Sequence, residues 1–344
     1  MLEMIQTRSK YSISLLMSNV GNKKTCAALA RVYGNSGDSM LRMLENKAAT
    51  KDDLIYSVRK FFGKKRLIVI IDDTLIQKMY SLYIEGTCDN FDTSQSRTVR
   101  SICSVTAMLT DGKWALPIEQ EIWMSRDYST DLTYKKKTEL AQSLITSIAQ
   151  EFSIRCVVVD GLYVTADMID WCIRHNIPFE GRFHSNRVIT TKTGNCAQVR
   201  ECPELKLTGT KNCKVIEAYW KSFFLYITAL RRFDAKGNPS VVYQVSNQKM
   251  SARAHVRLYE YRWNIEMFFR TAKQYLGLSD CQSRKLTLQQ NHIKNVFFAY
   301  HFLQWERKLR HLKSPEGAFH LLKHKSLDGL IKALSRSGQI FGAI

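Results

Sequence analysis

Four polar side chains with a regular spacing stand in the stretch of residues 251–277. Tyr259, Arg262, Glu266 and Lys273 lie at offsets of 0, 3, 7 and 14 residues from the tyrosine. No Pro or Gly interrupts the stretch before its last residue, which predicts one continuous helix. At about 100° per residue, the four offsets fall within an arc of roughly 60° on such a helix. A carboxylate framed by two cations and a phenol suits a surface that holds a metal and follows phosphates, although a solvated polar stripe has the same spacing.

Two apolar runs upstream end in acids. The run LIVII is followed by Asp72 and Asp73, and the run IRCVVV is followed by Asp160. Continuous branched apolar residues predict strands that are buried on both faces. The carboxyl ends of such strands form the ligand crevice of an open sheet. One aspartate at a strand end is a weak signal, but two of them together with Glu266 predict a carboxylate site.

The order of the elements predicts an α/β fold of the ribonuclease H-like type, with a mixed sheet flanked by helices. The first acidic strand precedes a hairpin that turns at Asp111-Gly112 and a helix at roughly 132–152. The second acidic strand and a further helix follow. Runs rich in β-branched and aromatic residues then predict a β-rich insertion before the helix of residues 251–277.

These patterns predict a division of the chain into four parts. They are a helical N-terminal region at 1–62, a catalytic domain at 63–177 and 251–312, a β-strand insertion at 178–250, and a C-terminal helical tail at 313–344. In the first region, residues 25–33 and 37–45 flank a Gly-Asn-Ser turn, as in a helix-turn-helix that would offer Arg42 and Lys47 to DNA. A plain helical hairpin fits this pattern equally well.

The chain is strongly basic. Its 344 residues include 51 Lys+Arg and 31 Asp+Glu, a net charge of +20 that is spread over the whole length. This excess predicts a polyanionic partner, nucleic acid first and an anionic membrane surface second. No apolar run is long enough to span a bilayer, and the segment MLEMIQTRSK has no signal-peptide core. Together with nine cysteines that lack paired spacing, this predicts a cytoplasmic protein, associated with the nucleoid through DNA and without a membrane partner.

The polar helix resembles a known signature. The spacing of Tyr259, Arg262, Glu266 and Lys273 is similar to the Tyr-Arg-Glu-Lys pattern of DDE transposases of the insertion sequence four superfamily. The flanking text YEYRWNIEMFFRTAKQYLGL is also similar to that family, IIDDT resembles its first aspartate motif, and VVVDGLY resembles its second. The resemblance covers about residues 64–310 in order. It implies a ribonuclease H-like domain with a β-strand insertion before the glutamate helix.

The resemblance implies a catalytic triad of Asp73, Asp160 and Glu266, which would also bind the metal. Relatives commonly place the first acid directly before a threonine, which favours Asp73 because Thr74 follows it. Asp72 is the alternate to Asp73, since neighbouring strand residues point to opposite faces and the pairing register decides between them. Two Mg²⁺ or Mn²⁺ ions per active site would serve the phosphoryl transfer.

The resemblance also implies the partners. Tyr259, Arg262 and Lys273 match positions that hold DNA phosphates, and the substrates would be double-stranded DNA at the terminal inverted repeats and in the target. A homodimer on DNA is expected because two ends must be held together. Two features depart from the family pattern: Leu162 stands where a small residue is usual, and SVVYQVSN lacks a tryptophan, its nearest aromatic being Tyr243. The tryptophan is found in relatives that form a DNA hairpin, so the sequence leaves open whether this reaction passes through a DNA hairpin intermediate.

Two other functions are compatible with the same residues. One is a ribonuclease H-like nuclease that cuts without strand transfer. The other is an inactive DNA-binding relic of a mobile element, which the acids at all three positions disfavour.

Overall fold

The computed structural model of the chain describes residues 2–18, 20–79, 81–130 and 133–323. Most of the predicted C-terminal tail, residues 324–344, lies outside these ranges. The chain forms two compact units: unit 1 comprises Met1–Lys65, Asp73–Lys136 and Ile265–Ile344, and unit 2 comprises Arg66–Asp72 and Lys137–Asn264. Each unit therefore contains segments that are distant in sequence.

The secondary structure alternates between helices and strands along the chain. The helices are α1 (Leu2–Met17), α2 (Cys26–Tyr33), α3 (Gly37–Asn46), α4 (Lys51–Phe62), α5 (Lys137–Glu151), α6 (Ala166–Arg174), α7 (Ala252–Glu260), α8 (Trp263–Gln274), α9 (Leu286–Leu309) and α10 (Pro315–Lys323). The strands are β1 (Leu67–Gln77), β2 (Cys88–Asp92), β3 (Arg97–Thr110), β4 (Ala115–Trp123), β5 (Ile154–Val159), β6 (Phe179–Phe183), β7 (Val188–Thr191), β8 (Cys196–Gln198), β9 (Cys213–Trp220), β10 (Phe223–Phe233) and β11 (Pro239–Ser246). This confirms the predicted α/β class.

Unit 2 is built on a mixed sheet. Its strand order is β1, β5, β6, β11, β10, β9, β7 and β8. β1, β5 and β6 run parallel, and the later neighbours pair antiparallel. The first half of β1 and most of β5 are buried, as continuous branched apolar runs require of central parallel strands. The strands predicted for the insertion are confirmed, and they extend the sheet because β6 pairs with β5 on one side and β11 on the other.

Unit 1 combines helices with antiparallel strands. β3 pairs with β2 and with β4. The predicted hairpin over Asp111-Gly112 is therefore confirmed. The 24-residue helix α9 is buried along most of its length, and its His301 bonds both Ser57 of α4 (2.9 Å) and the carbonyl of Pro117 in β4 (2.7 Å). α9 thus forms the centre of this unit.

The N-terminal region is helical, as predicted. Thr25 caps α2 by accepting a hydrogen bond from the backbone of Ala28, and Gly34 ends it in the left-handed conformation, with φ of 66°. Ser36 then caps α3. The hairpin of α2 and α3 packs in unit 1, where Asn291 of α9 donates to the carbonyl of Leu44 at 3.1 Å. The assignment of this hairpin to DNA binding stays a prediction.

The prediction of one continuous helix over residues 251–277 is wrong. α7 ends at Glu260 and α8 begins at Trp263, and the division between the units follows at Asn264. Between the helices the backbone tightens into i to i−3 hydrogen bonds, from Arg262 to Tyr259 and from Asn264 to Tyr261, each at 3.0 Å. The side-chain amide of Asn264 also donates to the carbonyl of Tyr261 at 2.8 Å, which occupies an acceptor that a continuous helix needs.

The helix predicted at roughly 132–152 begins later, at Lys137. Lys135 and Lys136 precede this helix, and Lys137 is its first residue. Positive charges are unfavourable at the N-terminal, positive end of a helix dipole, which disfavours an earlier start. Among the residues that the structure describes, no helix is both long enough and apolar enough to cross a membrane.

Candidate active site

Three polar residues form a row across the parallel strands of unit 2. Ile71 of β1 pairs with Val159 of β5, and Val159 pairs with Gly181 of β6. One residue further along each strand are Asp72, Asp160 and Arg182. Because residues in register on parallel strands project from the same face, the three side chains leave the sheet on one side. The register thus places Asp72 beside Asp160.

Helix α7 and the turn after it cover this face. The imidazole Nδ1 of His255 lies 2.7 Å from Oε2 of Glu180 on β6. One turn later, the hydroxyl of Tyr259 donates to Oδ1 of Asp160 at 3.3 Å. Nη1 of Arg262 then donates to Oδ2 of Asp72 at 2.7 Å. The three contacting residues, His255, Tyr259 and Arg262, are spaced by four and three positions. Each therefore contacts a different strand of the parallel set, or the residue directly after it.

Burial determines the protonation state of Tyr259. Loss of hydration raises the pKa of Tyr259 well above its ordinary value, the Arg262 guanidinium opposes this rise, and the Asp160 carboxylate adds to it. Tyr259 is therefore a neutral phenol and a hydrogen-bond donor at physiological pH. The Arg262–Asp72 ion pair is mostly shielded, with 20% and 16% of the two side chains exposed. Such a pair is worth more than an exposed one because less water screens it.

Asp73 has different surroundings. It follows Asp72 in β1 and so points to the opposite side of the strand. In unit 1 the thiol of Cys103 on β3 approaches its Oδ2 at 3.6 Å. Asp73 therefore stays a prediction from the sequence. The strand register and the ion pair with Arg262 favour Asp72 as the partner of Asp160.

Glu266 and Lys273 lie on α8, which belongs to unit 1 from Ile265 onwards. Seven residues separate them, so they share a helix face about 10 Å apart along the axis. Glu266 is in the first turn, where the helix dipole stabilises a carboxylate, and Lys273 is in the last. The pKa of Lys273 is lowered by partial loss of hydration, an effect that the carboxylate of Asp92 opposes.

The donor chemistry of the row in unit 2 suits a hard divalent cation. Asp72 and Asp160 offer carboxylate oxygens from adjacent strands, the ligands that Mg²⁺ prefers. In the part of the chain that the structure describes, no three His, Cys, Asp or Glu side chains already converge as a metal-binding group. Asp72 and Asp160 are the two carboxylates of this row that could hold such an ion.

Sequence reasoning missed two residues near Asp160. Arg182 is exposed and stands next to Asp160 in the row, and its charge acts on Tyr259. Nε2 of His184 lies 3.0 Å from the position that a Cβ would take on Gly161, so a side chain there would crowd the imidazole. The signal available in advance was the alternation at the end of β6, where the exposed Arg182 and His184, the latter just beyond the strand, flank the buried Phe183.

A side chain at position 161 would have to displace the imidazole of His184. Leu162, noted above as a departure from the family pattern, is 51% exposed in a short turn after β5 and does not enter the core.

Aspartates at the ends of neighbouring central strands, in a mixed sheet flanked by helices, define a ribonuclease H-like domain of the kind found in DDE transposases. The family model described as Transposase DDE domain matches residues 63–302, and the chain belongs to this family. No curated protein matches the chain. Members of this family are enzymes that cleave nucleic acid, act on DNA and generally use divalent metal ions.

Proposed function

We propose that the protein is the transposase of an insertion sequence of the Tyr-Arg-Glu-Lys type. It would cut the ends of its element and join them to target DNA. The observation that carries this proposal is the placement of Tyr259 and Arg262 on Asp160 and Asp72, the acids of two adjacent parallel strands. One cluster of unit 2 thus contains four residues that the family signature and its aspartate motifs predict. They are Tyr259, Arg262, Asp160 and Asp72, the alternate to Asp73.

The roles follow from the chemistry of each group. Asp72, Asp160 and Glu266 would hold two Mg²⁺ or Mn²⁺ ions. Bound ions of this kind lower the pKa of an attacking water or 3′-hydroxyl and stabilise the leaving oxygen in an in-line phosphoryl displacement. Arg262 and Lys273 would hold DNA phosphates by charge-assisted hydrogen bonds, and Tyr259 by its neutral hydroxyl. Arg182, exposed at the edge of the same row, adds a cation for the phosphate backbone.

The substrates would be the terminal inverted repeats of the element and a target duplex. A homodimer on DNA would bring the two ends together. The net charge of +20 supports a polyanionic substrate, because neutralising phosphates releases counterions.

The test uses the DNA that flanks the gene, with Mg²⁺, and looks for cuts at inverted repeats. Asp160→Asn and Glu266→Gln should each lower the cleavage rate by more than about a hundredfold, because each removes a metal ligand. Binding of the same DNA, measured by fluorescence anisotropy, should change little. Glu260→Gln is the matched control, since Glu260 is exposed at the end of α7 and pairs with Arg232 at 3.5 Å.

Cleavage that persists in both variants would exclude the proposed roles of these acids. Incubation of a pre-cut end with a supercoiled plasmid separates the other two functions. Joined products identify a transposase, cutting without joining identifies a nuclease, and neither activity identifies a DNA-binding relic.

A further inference from the structure

We propose that Arg262 and Tyr259 are internal counter-groups of the two aspartates, so that divalent-metal binding and DNA binding are thermodynamically coupled. This inference rests on the proposed function, which makes Asp72 and Asp160 metal ligands. It assigns to the two residues a task besides holding phosphates: they occupy the carboxylates until metal and DNA take them over.

The first observation is the Arg262–Asp72 pair. The guanidinium donates to Asp72 at 2.7 Å, and both side chains are mostly buried. A charge-assisted hydrogen bond in such surroundings contributes more than an exposed ion pair. A cation that binds Asp72 must therefore compete with a cation that the chain itself supplies.

The second observation is that Tyr259 is part of the same arrangement. Its hydroxyl donates to Asp160 at 3.3 Å, and its ring centroid lies 5.8 Å from the guanidinium carbon of Arg262. The long hydroxyl distance marks this bond as the weaker of the two. The phenol and the guanidinium are thus linked to each other and to both acids.

The third observation is that α7 is held independently of these contacts. His255 and Glu180 are both fully buried and lie 2.7 Å apart, and Tyr226 of β10 stacks on the imidazole with ring centroids 6.5 Å apart. Tyr259 lies one helical turn beyond this anchor, and Arg262 follows it. Both side chains can therefore exchange partners by rotamer changes while the helix stays on the sheet.

The coupling follows from competition. A divalent cation on Asp72 displaces Arg262, which is then available to a phosphate. A phosphate that takes Arg262 leaves Asp72 with more negative charge and so a better metal ligand. Thermodynamic linkage requires that bound metal raises the affinity for DNA by the same factor by which bound DNA raises the affinity for the metal.

The direct test measures Mn²⁺ binding to the DNA-free protein by isothermal titration calorimetry. Arg262→Gln should tighten Mn²⁺ binding roughly tenfold, since it removes a competing charge-assisted bond. Tighter binding is a result that mere structural damage does not produce. Arg262→Lys keeps a cation near Asp72 and should stay within about threefold of the wild type. Arg257→Gln removes a charge from an exposed position of the same helix and should change the affinity by less than about twofold, because screening weakens distant charges.

Asp160→Asn separates the two possible failures. If it abolishes Mn²⁺ binding while Arg262→Gln and the wild type bind equally, the metal site stands and the coupling is wrong. If no Mn²⁺ binding depends on Asp160 in any variant, the proposed metal site is wrong and the inference falls with it.

A second measurement addresses the coupling itself. The affinity for a short DNA duplex of arbitrary sequence is compared in Ca²⁺ and in EDTA at constant ionic strength. The wild type should bind the duplex more tightly in Ca²⁺, and this ratio should approach one in Arg262→Gln. A ratio that is the same in the two proteins would overturn the coupling.

Discussion

Asp72 and Asp73 are neighbours in β1, yet their carboxylates have different partners. Asp72 receives a hydrogen bond from Arg262 and stands beside Asp160 in the register of parallel strands. Asp73 receives a thiol contact from Cys103 instead. A metal ligand has to share a face with its co-ligands, and the pairing register therefore favours Asp72 over Asp73 in the proposed metal site.

This choice gives a prediction at the scale of residues. Asp72→Asn should reduce Mg²⁺-dependent cleavage by more than about a hundredfold, because it removes a metal ligand. Asp73→Asn should keep most of the activity. Cleavage of labelled end DNA measures both, and circular dichroism checks that Asp72→Asn, which deprives Arg262 of a partner, still folds. Loss of activity in Asp73→Asn alone would restore the choice made from the sequence.

The sequence was sufficient to identify the residue types of the site but not their pairing. Apolar runs that end in acids predicted both strands, and the offsets of Tyr259 and Arg262 predicted a shared face, because strand burial and helix periodicity depend on local sequence. The register of β1 against β5 depends on packing across distant segments. Arg182 was missed for the same reason: it is near Asp160 only because β6 pairs with β5.

At the scale of elements, α7 is positioned by a buried polar pair. Glu180 and His255 are fully buried, and burial raises the pKa of Glu180 and lowers that of His255 to about 4. Burial thus favours the neutral form of each group, and the two side chains share one hydrogen bond. The helical signature predicted the polar face of α7 but not the break after Glu260. This break is stabilised by hydrogen bonds within the turn, among them the one from the side chain of Asn264 to the carbonyl of Tyr261.

Removing one member of this pair should destabilise the protein. His255→Leu leaves Glu180 buried without its imidazole partner, and we expect the free energy of unfolding to fall by about 2 kcal/mol. Glu180→Gln keeps a hydrogen-bonding side chain of the same shape and should have a smaller effect. Urea denaturation measures both variants. Equal stability of His255→Leu and the wild type would show that the pair does not anchor α7.

At the scale of the whole molecule, the positive charge determines how binding responds to salt. We expect the affinity for a non-specific duplex to fall steeply between low and moderate salt, with a slope set by the number of neutralised phosphates. Lys273→Gln should reduce that slope by about one if Lys273 contacts a phosphate. Lys206→Gln, at an exposed position in unit 2, is a control for the loss of one charge. An unchanged slope in Lys273→Gln would remove this residue from the DNA contacts.

Buried histidines make the stability depend on pH. His292 and His301 are fully buried in unit 1, and loss of hydration lowers the pKa of each from 6.5 to about 4. The unfolded chain therefore binds more protons than the folded chain between these values, so stability falls as the pH decreases through this window. At pH 5 the loss is about 2 kcal/mol for each histidine.

Thermal melting at pH 7 and pH 5 checks this expectation. His301→Gln should lower the melting temperature at pH 7, because it disturbs the bonds to Ser57 and Pro117. It should also reduce the further drop between pH 7 and pH 5, because one titrating group is gone. A drop of the same size in the variant would show that His301 is not responsible.

The central position of α9 has a consequence for how the chain folds during synthesis. Tyr11 of α1 bonds His292 at 3.0 Å, and Ser12 bonds Asn295 at 2.9 Å, across more than 280 residues of sequence. Unit 2 is complete once Asn264 has left the ribosome, whereas the N-terminal helices wait for α9. We expect unit 2 to fold first and the apolar faces of α1 to α4 to stay exposed until the last part of translation, which is the interval in which a nascent chain depends on chaperones.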